Sequence, residues 1–317
     1  MMEAPPLDTS QSAVREYVAL IRLQVFTPLA LLVALASFLI CTFVLHPGLG
    51  DLVRLYPSSL APEPRVIGIY LAVVALAQVG LCALLVASRS PQTKNLLRKT
   101  TPPLIAANIL VAIWAPVFAL QSFIAAAVLQ GMLLVALVFA LGASWVGGGN
   151  SLAALLFVHA PLRAFFLAPL HIGFPYNLFI ALGWTWPPGE PQHYRGHAWA
   201  GAAVVLCVNI VALVIIVWRR DIVWCVCAAW LCAALWAVDP KAAEVWIPAA
   251  VFTVLHPVAL LATLLWRHFH GGQAIALPPD DEGADAAGRQ NGGPRDDAQA
   301  QQGERPAREV DVEALWG

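Results

Sequence analysis

The sequence predicts an all-α, polytopic integral membrane protein: a bundle of about eight transmembrane helices followed by a disordered acidic C-terminal tail. Three observations lead there. From Thr100 to Leu162, 63 consecutive residues include no Asp, Glu, Lys or Arg. A bilayer core of about 30 Å is crossed by about 20 helical residues, so this stretch alone holds more than two crossings. The whole chain is 60% hydrophobic and 12% charged, against roughly 25% charged residues in soluble domains. Finally, residues 1–270 carry 14 Lys plus Arg against 9 acids, whereas 271–317 carry 4 against 10. The near-neutral total is a cancellation between a mildly basic membrane body and an acidic tail.

Residues 1–23 form a polar N-terminal segment, read as cytoplasmic, with a helical patch around Ser12 to Leu23 suited to the membrane surface. The membrane domain covers 24–270. Its first span is 25–45, whose 21 residues exceed the 7 to 15 of a signal core; with His46-Pro47-Gly48 a poor cleavage site, it reads as a retained span. The second span, 66–88, lies between Arg65 and Arg89, and the following loop to Pro103 holds Arg89, Lys94, Arg98 and Lys99. Breakers divide the uncharged block into spans 104–120 and 123–146, the latter stopped by Gly147-Gly148-Gly149-Asn150. Residues 151–184 contain Pro161, Pro169 and Pro175. They are read as one crossing, kinked at the prolines and entered by a partly embedded helix. After the polar loop Thr185 to His197 come spans 198–218, 222–238 and 245–266. Residues 271–317, rich in Gly, Pro and Gln, lack the large apolar residues needed to offset ordering entropy, apart from a short turn around Val310 to Trp316.

With the N-terminus cytoplasmic, nine basic residues lie on the inner side (Arg15, Arg22, Arg89, Lys94, Arg98, Lys99, Arg219, Arg220, Arg267) and four on the outer (Arg54, Arg65, Arg195, Lys241). That asymmetry follows the positive-inside rule and puts both termini on the cytoplasmic side. Trp145, Trp218, Trp224 and Trp266 then mark the inner interface; Trp184, Trp186, Trp199, Trp236 and Trp246 mark the outer one. The six cysteines fall in apolar segments and read as packing residues, and Cys225-Val226-Cys227 lacks the second pair or histidine of a zinc site. No metal site and no cofactor are expected.

Arg163 stands inside an apolar run, where a charge either pairs, lines a water-filled cavity, or snorkels if the span begins beside it. Asp221 is placed to cap the helix that follows it and to face Arg219 or Arg220. His171, followed by Gly173, Pro175 and Asn177, sits on a proline-broken segment whose freed carbonyls suit either a ligand site or internal hydrogen bonds. Asn108 before Trp114, Asn209, and His256 before Pro257 repeat the theme; such amides also serve as interhelical glue worth about 0.6 to 2 kcal/mol each. The candidate ligand-binding residues are therefore Asn108, Trp114, His171, Asn177, Asn209 and His256. There is no Gly-x-Ser-x-Gly element and no clustered pair of histidines with a carboxylate, so no catalytic residue is assigned and the chain is read as non-enzymatic.

Trp114-Ala115-Pro116-Val117-Phe118 resembles the Trp-x-Pro-x-Phe element of the tryptophan-rich sensory, or translocator-protein (TspO), family. Pro161 to Trp184 and the run Arg220-Asp221 with Trp224 and Trp230 are similar to its longer bacterial-type members. The body from 20 to 270 also resembles a fungal family of multi-pass membrane proteins defined as a domain of unknown function. The resemblance implies an all-helical membrane bundle that binds an apolar or porphyrin-like ligand, with Trp114, Pro116 and Phe118 the matching residues. The translocator pattern sets an Asn three residues before the Trp, whereas Val111 stands there in this chain.

These readings converge on a membrane protein that binds a small apolar, porphyrin-like or sterol-like ligand in an intramembrane cavity. A secondary transporter and an intramembrane enzyme are the rivals. The expected partners are the lipid bilayer, a small apolar ligand and a second copy of the chain; nucleic acid is not among them.

Overall fold

The computed structural model describes residues 12–88, 90–146, 152–188 and 190–270. The acidic tail with its expected turn, residues 1–11 and the Gly147–Asn150 break lie outside the described residues. Secondary structure among the described residues is helical throughout. In lipid every backbone N–H and C=O must find its partner within the chain, which a helix achieves segment by segment.

Helix α1 (Ser12–Leu39) runs on through a π turn, Ile40–Val44, so the expected surface patch and the first span form one rod. The short α2 (Leu49–Leu55) follows, its Asp51 carboxylate accepting from the Gly48 N–H at 3.2 Å. Helix α3 (Pro64–Ala87) begins on a proline whose missing N–H costs nothing at the first helical position. Then come α4 (Pro91–Ala119) and α5 (Phe123–Val146). Next is one unbroken helical segment of 30 residues: α6 (Leu152–Ala154), a π turn (Leu155–His159), α7 (Ala160–Ala168), a second π turn (Pro169–Gly173) and α8 (Phe174–Ala181). The set closes with α9 (Ala198–Arg219), α10 (Ile222–Trp236) and α11 (Ala243–His270).

Seven of these segments are long and apolar enough to cross a membrane. In α3 and α4 only 28% of the most apolar window is buried inside the protein, and outward residues such as Leu76, Phe139 and Val214 are exposed. Helices apolar on every side and covered on one belong in hydrocarbon. The segment Leu152–Ala181 is the exception at 56% buried: it is the central helix, packed by α3, α5 and α10.

Two boundaries differ from expectation. The basic stretch read as a loop before 104 forms the first turns of α4, with Pro102 and Pro103 inside the helix. Its buried residues, Thr93, Leu96, Leu97, Thr100, Thr101, Leu104, Ala107 and Asn108, recur at helical spacing along one face. Burial of that face outweighs the two lost backbone donors. Helix α10 has 15 residues, about 22 Å at 1.5 Å per residue, so the seventh of the eight expected crossings is shorter than the bilayer core. Its carboxyl end is covered by the loop 57–63, where Ser58, Ser59, Leu60 and Ala61 are buried. The Glu63 N–H donates to the Ala234 carbonyl at 2.8 Å, and Lys241 Nζ donates to the Ala61 carbonyl at 2.7 Å.

The two π turns of the central helix each stand just before a proline. Pro161 and Pro175 would clash with the carbonyls four residues back, at Phe157 and His171, and each of those residues lies in a π turn. The wider turn makes room for the ring. At the α4–α5 connection Gln121 takes φ 58°, a left-handed conformation unusual for a residue other than glycine, and its Oε1 accepts from the Tyr56 hydroxyl at 2.7 Å.

The chain divides into two units, Met1–Leu264 and Leu265–Gly317. In the second, Trp266 and His270 stack with centroids 4.1 Å apart.

Candidate functional site

The six candidate residues form three hydrogen-bonded nodes in the core, not one cavity lining. In the first, Asn108 Nδ2 donates to Gln78 Oε1 at 2.9 Å, joining α4 to α3. Both amides are buried, and this one bond ties the two helices, as interhelical amides do in lipid.

The second node joins α4 to α8. Trp114 Nε1 donates to Asn177 Oδ1 at 3.1 Å, while Asn177 Nδ2 donates to the Gly173 carbonyl at 2.7 Å. That carbonyl lies at the end of a π turn, so the asparagine side chain takes up backbone capacity the irregular helix leaves over. Trp114 also stacks on Phe118, centroids 5.4 Å apart. The matching residues of the Trp-x-Pro-x-Phe element thus pack an interhelical seam. Beside it, Gln130 Oε1 of α5 stands 2.7 Å from where a Cβ on Gly173 would lie, so the glycine admits the buried amide.

The third node brings together His171, Asn209, Cys232 and His256, from the second π turn, α9, α10 and α11. Asn209 Nδ2 donates to the Val205 carbonyl at 2.8 Å, and its Oδ1 accepts from the Cys232 thiol at 2.9 Å. His171 Nδ1 approaches the Leu167 carbonyl at 3.2 Å, and His256 Nε2 approaches the Asn209 carbonyl at 3.4 Å. A carbonyl can only accept, so those ring nitrogens carry the protons. The opposite nitrogens, His171 Nε2 and His256 Nδ1, are then bare lone pairs. Both are buried, and neither has a hydrogen-bond partner among the described residues.

An apolar groove of about 410 Å³ lies between α3, α10 and α11, with Val66, Cys225, Trp230, Ala233, Thr253 and Pro257 in its walls; the side chains of the node are not among its lining. Thr253 and Pro257 bracket His256 on α11. Trp230 Nε1 is spent on the Val66 carbonyl at 3.2 Å, leaving the indole as an apolar wall.

Elsewhere, Arg163 is paired: its Nη1 lies 2.6 Å from Asp221 Oδ2. Asp221 caps α10 as expected, accepting from the N–H groups of Val223 at 3.0 Å and Trp224 at 3.1 Å, but its cation is Arg163, not Arg219 or Arg220. Arg219 instead lies over the Trp145 ring, 5.1 Å from its centroid. Trp224, expected at the interface, is buried against Phe166 because its position after the cap turns it into the bundle. The three tryptophans of α10 do face three ways: Trp224 inward, Trp230 onto Val66, and Trp236 outward to Thr253 Oγ1 at 3.2 Å. Four cysteines are buried and all six are free; among the described residues no three potential ligands gather as for a metal ion.

Reading residues singly missed Gln78, Gln130 and Cys232. The two glutamines carry a signal, each the one amide in its long apolar helix; Cys232 carries none, since its role depends on Asn209 across the helix pair.

Fold and core together define a multi-pass helical membrane protein with a polar node inside an apolar bundle. No protein-family model, no curated protein and no solved structure matches this chain.

Proposed function

We propose that this multi-pass membrane protein is a non-enzymatic binding protein for a small amphipathic molecule that presents a hydroxyl or amine donor inside the membrane. One observation carries the reading: two buried imidazole lone pairs, His171 Nε2 and His256 Nδ1, lack donors. A buried acceptor left without a partner costs about 1–3 kcal/mol. An apolar compound with one polar hydrogen, such as a sterol-like alcohol, serves one of the two imidazoles as donor while its body covers the groove at Trp230 and Pro257. Intramembrane ionisable side chains are by default functional candidates.

The test is photolabelling of the purified protein with a diazirine-bearing sterol and with its O-methyl ether, which has no donor. Labelling of α10 and α11 by the alcohol, weaker for the ether and reduced by His256→Leu and His171→Leu in a monodisperse protein, is expected. Equal labelling by both probes, unchanged in the variants, would refute the reading. On the same proposal both termini are cytoplasmic, with α10 counted as a crossing.

Transport is favoured by one feature, the two π turns in the central helix, since irregular backbone at membrane depth accompanies moving gates. Directional uptake of a small solute by proteoliposomes would replace the binding reading.

A further inference from the structure

A second site lies at the end of the bundle formed by the connection between α8 and α9. Residues of the stretches 184–187 and 190–197 line an open cleft of about 620 Å³, within the range of small-molecule sites. Its walls include Trp184, Trp186, Glu190, His193, Arg195 and His197.

The aromatic wall is held before any ligand arrives. Gly183, at φ 72°, reverses the chain after α8. The Trp184 N–H then returns to the Phe179 carbonyl at 2.8 Å, and the Trp184 ring meets Phe179 edge-on at 5.0 Å. His197 stacks on Trp184, with centroids 5.0 Å apart and planes 11° from parallel. The Trp186 N–H is anchored to the Pro57 carbonyl at 3.1 Å. Preorganised walls of this kind reduce the ordering cost of binding.

Charge then selects the ligand class. Arg195 Nη2 is held by Glu244 Oε1 at 2.6 Å, so that cation is neutralised at the root of α11 and does not recruit an anion. Glu190 Oε2 lies 3.0 Å from the His193 imidazole, and the one arginine lining the cleft, Arg195, forms its ion pair with Glu244 and not with Glu190. Two indoles and a carboxylate outside that ion pair recognise an organic cation, because the ring quadrupole and the acid both attract a diffuse positive charge.

We propose that this cleft binds a quaternary ammonium group, seated on the indoles of Trp184 and Trp186 and balanced by Glu190. That chemistry has two sources beside a membrane: a free solute such as choline, and the headgroup of phosphatidylcholine.

The full chain in phosphatidylglycerol nanodiscs, titrated with tetramethylammonium, tests the site by saturation transfer to the probe's methyl protons. Binding is expected, weakened about threefold to tenfold by Glu190→Gln and by Trp186→Leu. Glu190 is exposed, so its variant keeps the fold. Absence of transfer, or equal transfer in wild type and Glu190→Gln, overturns the proposal. Phosphatidylcholine nanodiscs separate the sources: suppressed probe binding assigns the headgroup, and unchanged binding assigns the free solute. The result is independent of the histidine node.

Discussion

Lys241→Met should abolish a pH dependence that the wild type shows. Lys241 lies in the α10–α11 connection, buried, and its Nζ donates to the Ala61 carbonyl at 2.7 Å. Burial lowers its affinity for the proton from the ordinary 10.5 to about 7. A tenfold change in proton affinity is worth about 1.36 kcal/mol, so the gap corresponds to roughly 5 kcal/mol of penalty on the charged, buried amine. The sign follows from proton counting. Between about pH 7 and pH 10.5 the amine released from this corner binds a proton that the buried one does not, so stability rises with pH across that window and is flat below it. Thermal unfolding of the purified protein at pH 7, 8, 9 and 10, as wild type minus Lys241→Met, isolates this group from the other titrating residues. The variant sheds the ionic penalty and leaves the Ala61 carbonyl without its donor, a cost of about 1–3 kcal/mol. A difference that stays constant from pH 7 to 10 would refute the reasoning.

Arg163→Met strands Asp221 inside the bundle and should destabilise by about 3–5 kcal/mol, whereas adding Asp221→Asn, which keeps the capping oxygen, should recover most of the loss; denaturant titration of both variants checks this. Gly201→Ala places a Cβ 2.9 Å from the Ser59 Cβ and 3.2 Å from Val245 Cγ2, a clash no side-chain rotation relieves. It should cost about 1–3 kcal/mol and be partly rescued by Ser59→Gly, read from thermal midpoints. Glycosylation acceptors fused at either terminus should both stay unmodified if both ends are cytoplasmic; modification of one end alone would mean that α10 does not complete a crossing.

The lipid-embedded architecture was legible because it rests on what the sequence lacks: no charge relieves the chain between Thr100 and Leu162. Local grammar also carried over, as in the cap at Asp221 and the continuous, proline-bearing helical segment over 152–181. Partners across the bundle did not. Asp221 pairs with a residue 58 positions earlier, and two arginines adjacent in sequence offered a nearer, wrong choice. The start of α4 was hidden by Pro102 and Pro103, which break helices in water and are tolerated where neighbouring helices bury the face. The six candidate residues scattered into three nodes because Asn177, Asn209 and His171 each direct one ring or amide nitrogen to a carbonyl four residues back on their own helix. Sequence shows a polar side chain in lipid but not how much of its bonding capacity its own backbone has absorbed.

The link between Arg163 and Asp221 constrains biogenesis. When α7 leaves the ribosome, its guanidinium has no anion to meet until the chain has grown by a further 58 residues. The seam between α7 and the head of α10 is therefore completed only after α9 has been made, so the carboxyl half of the bundle reaches its final packing late in synthesis.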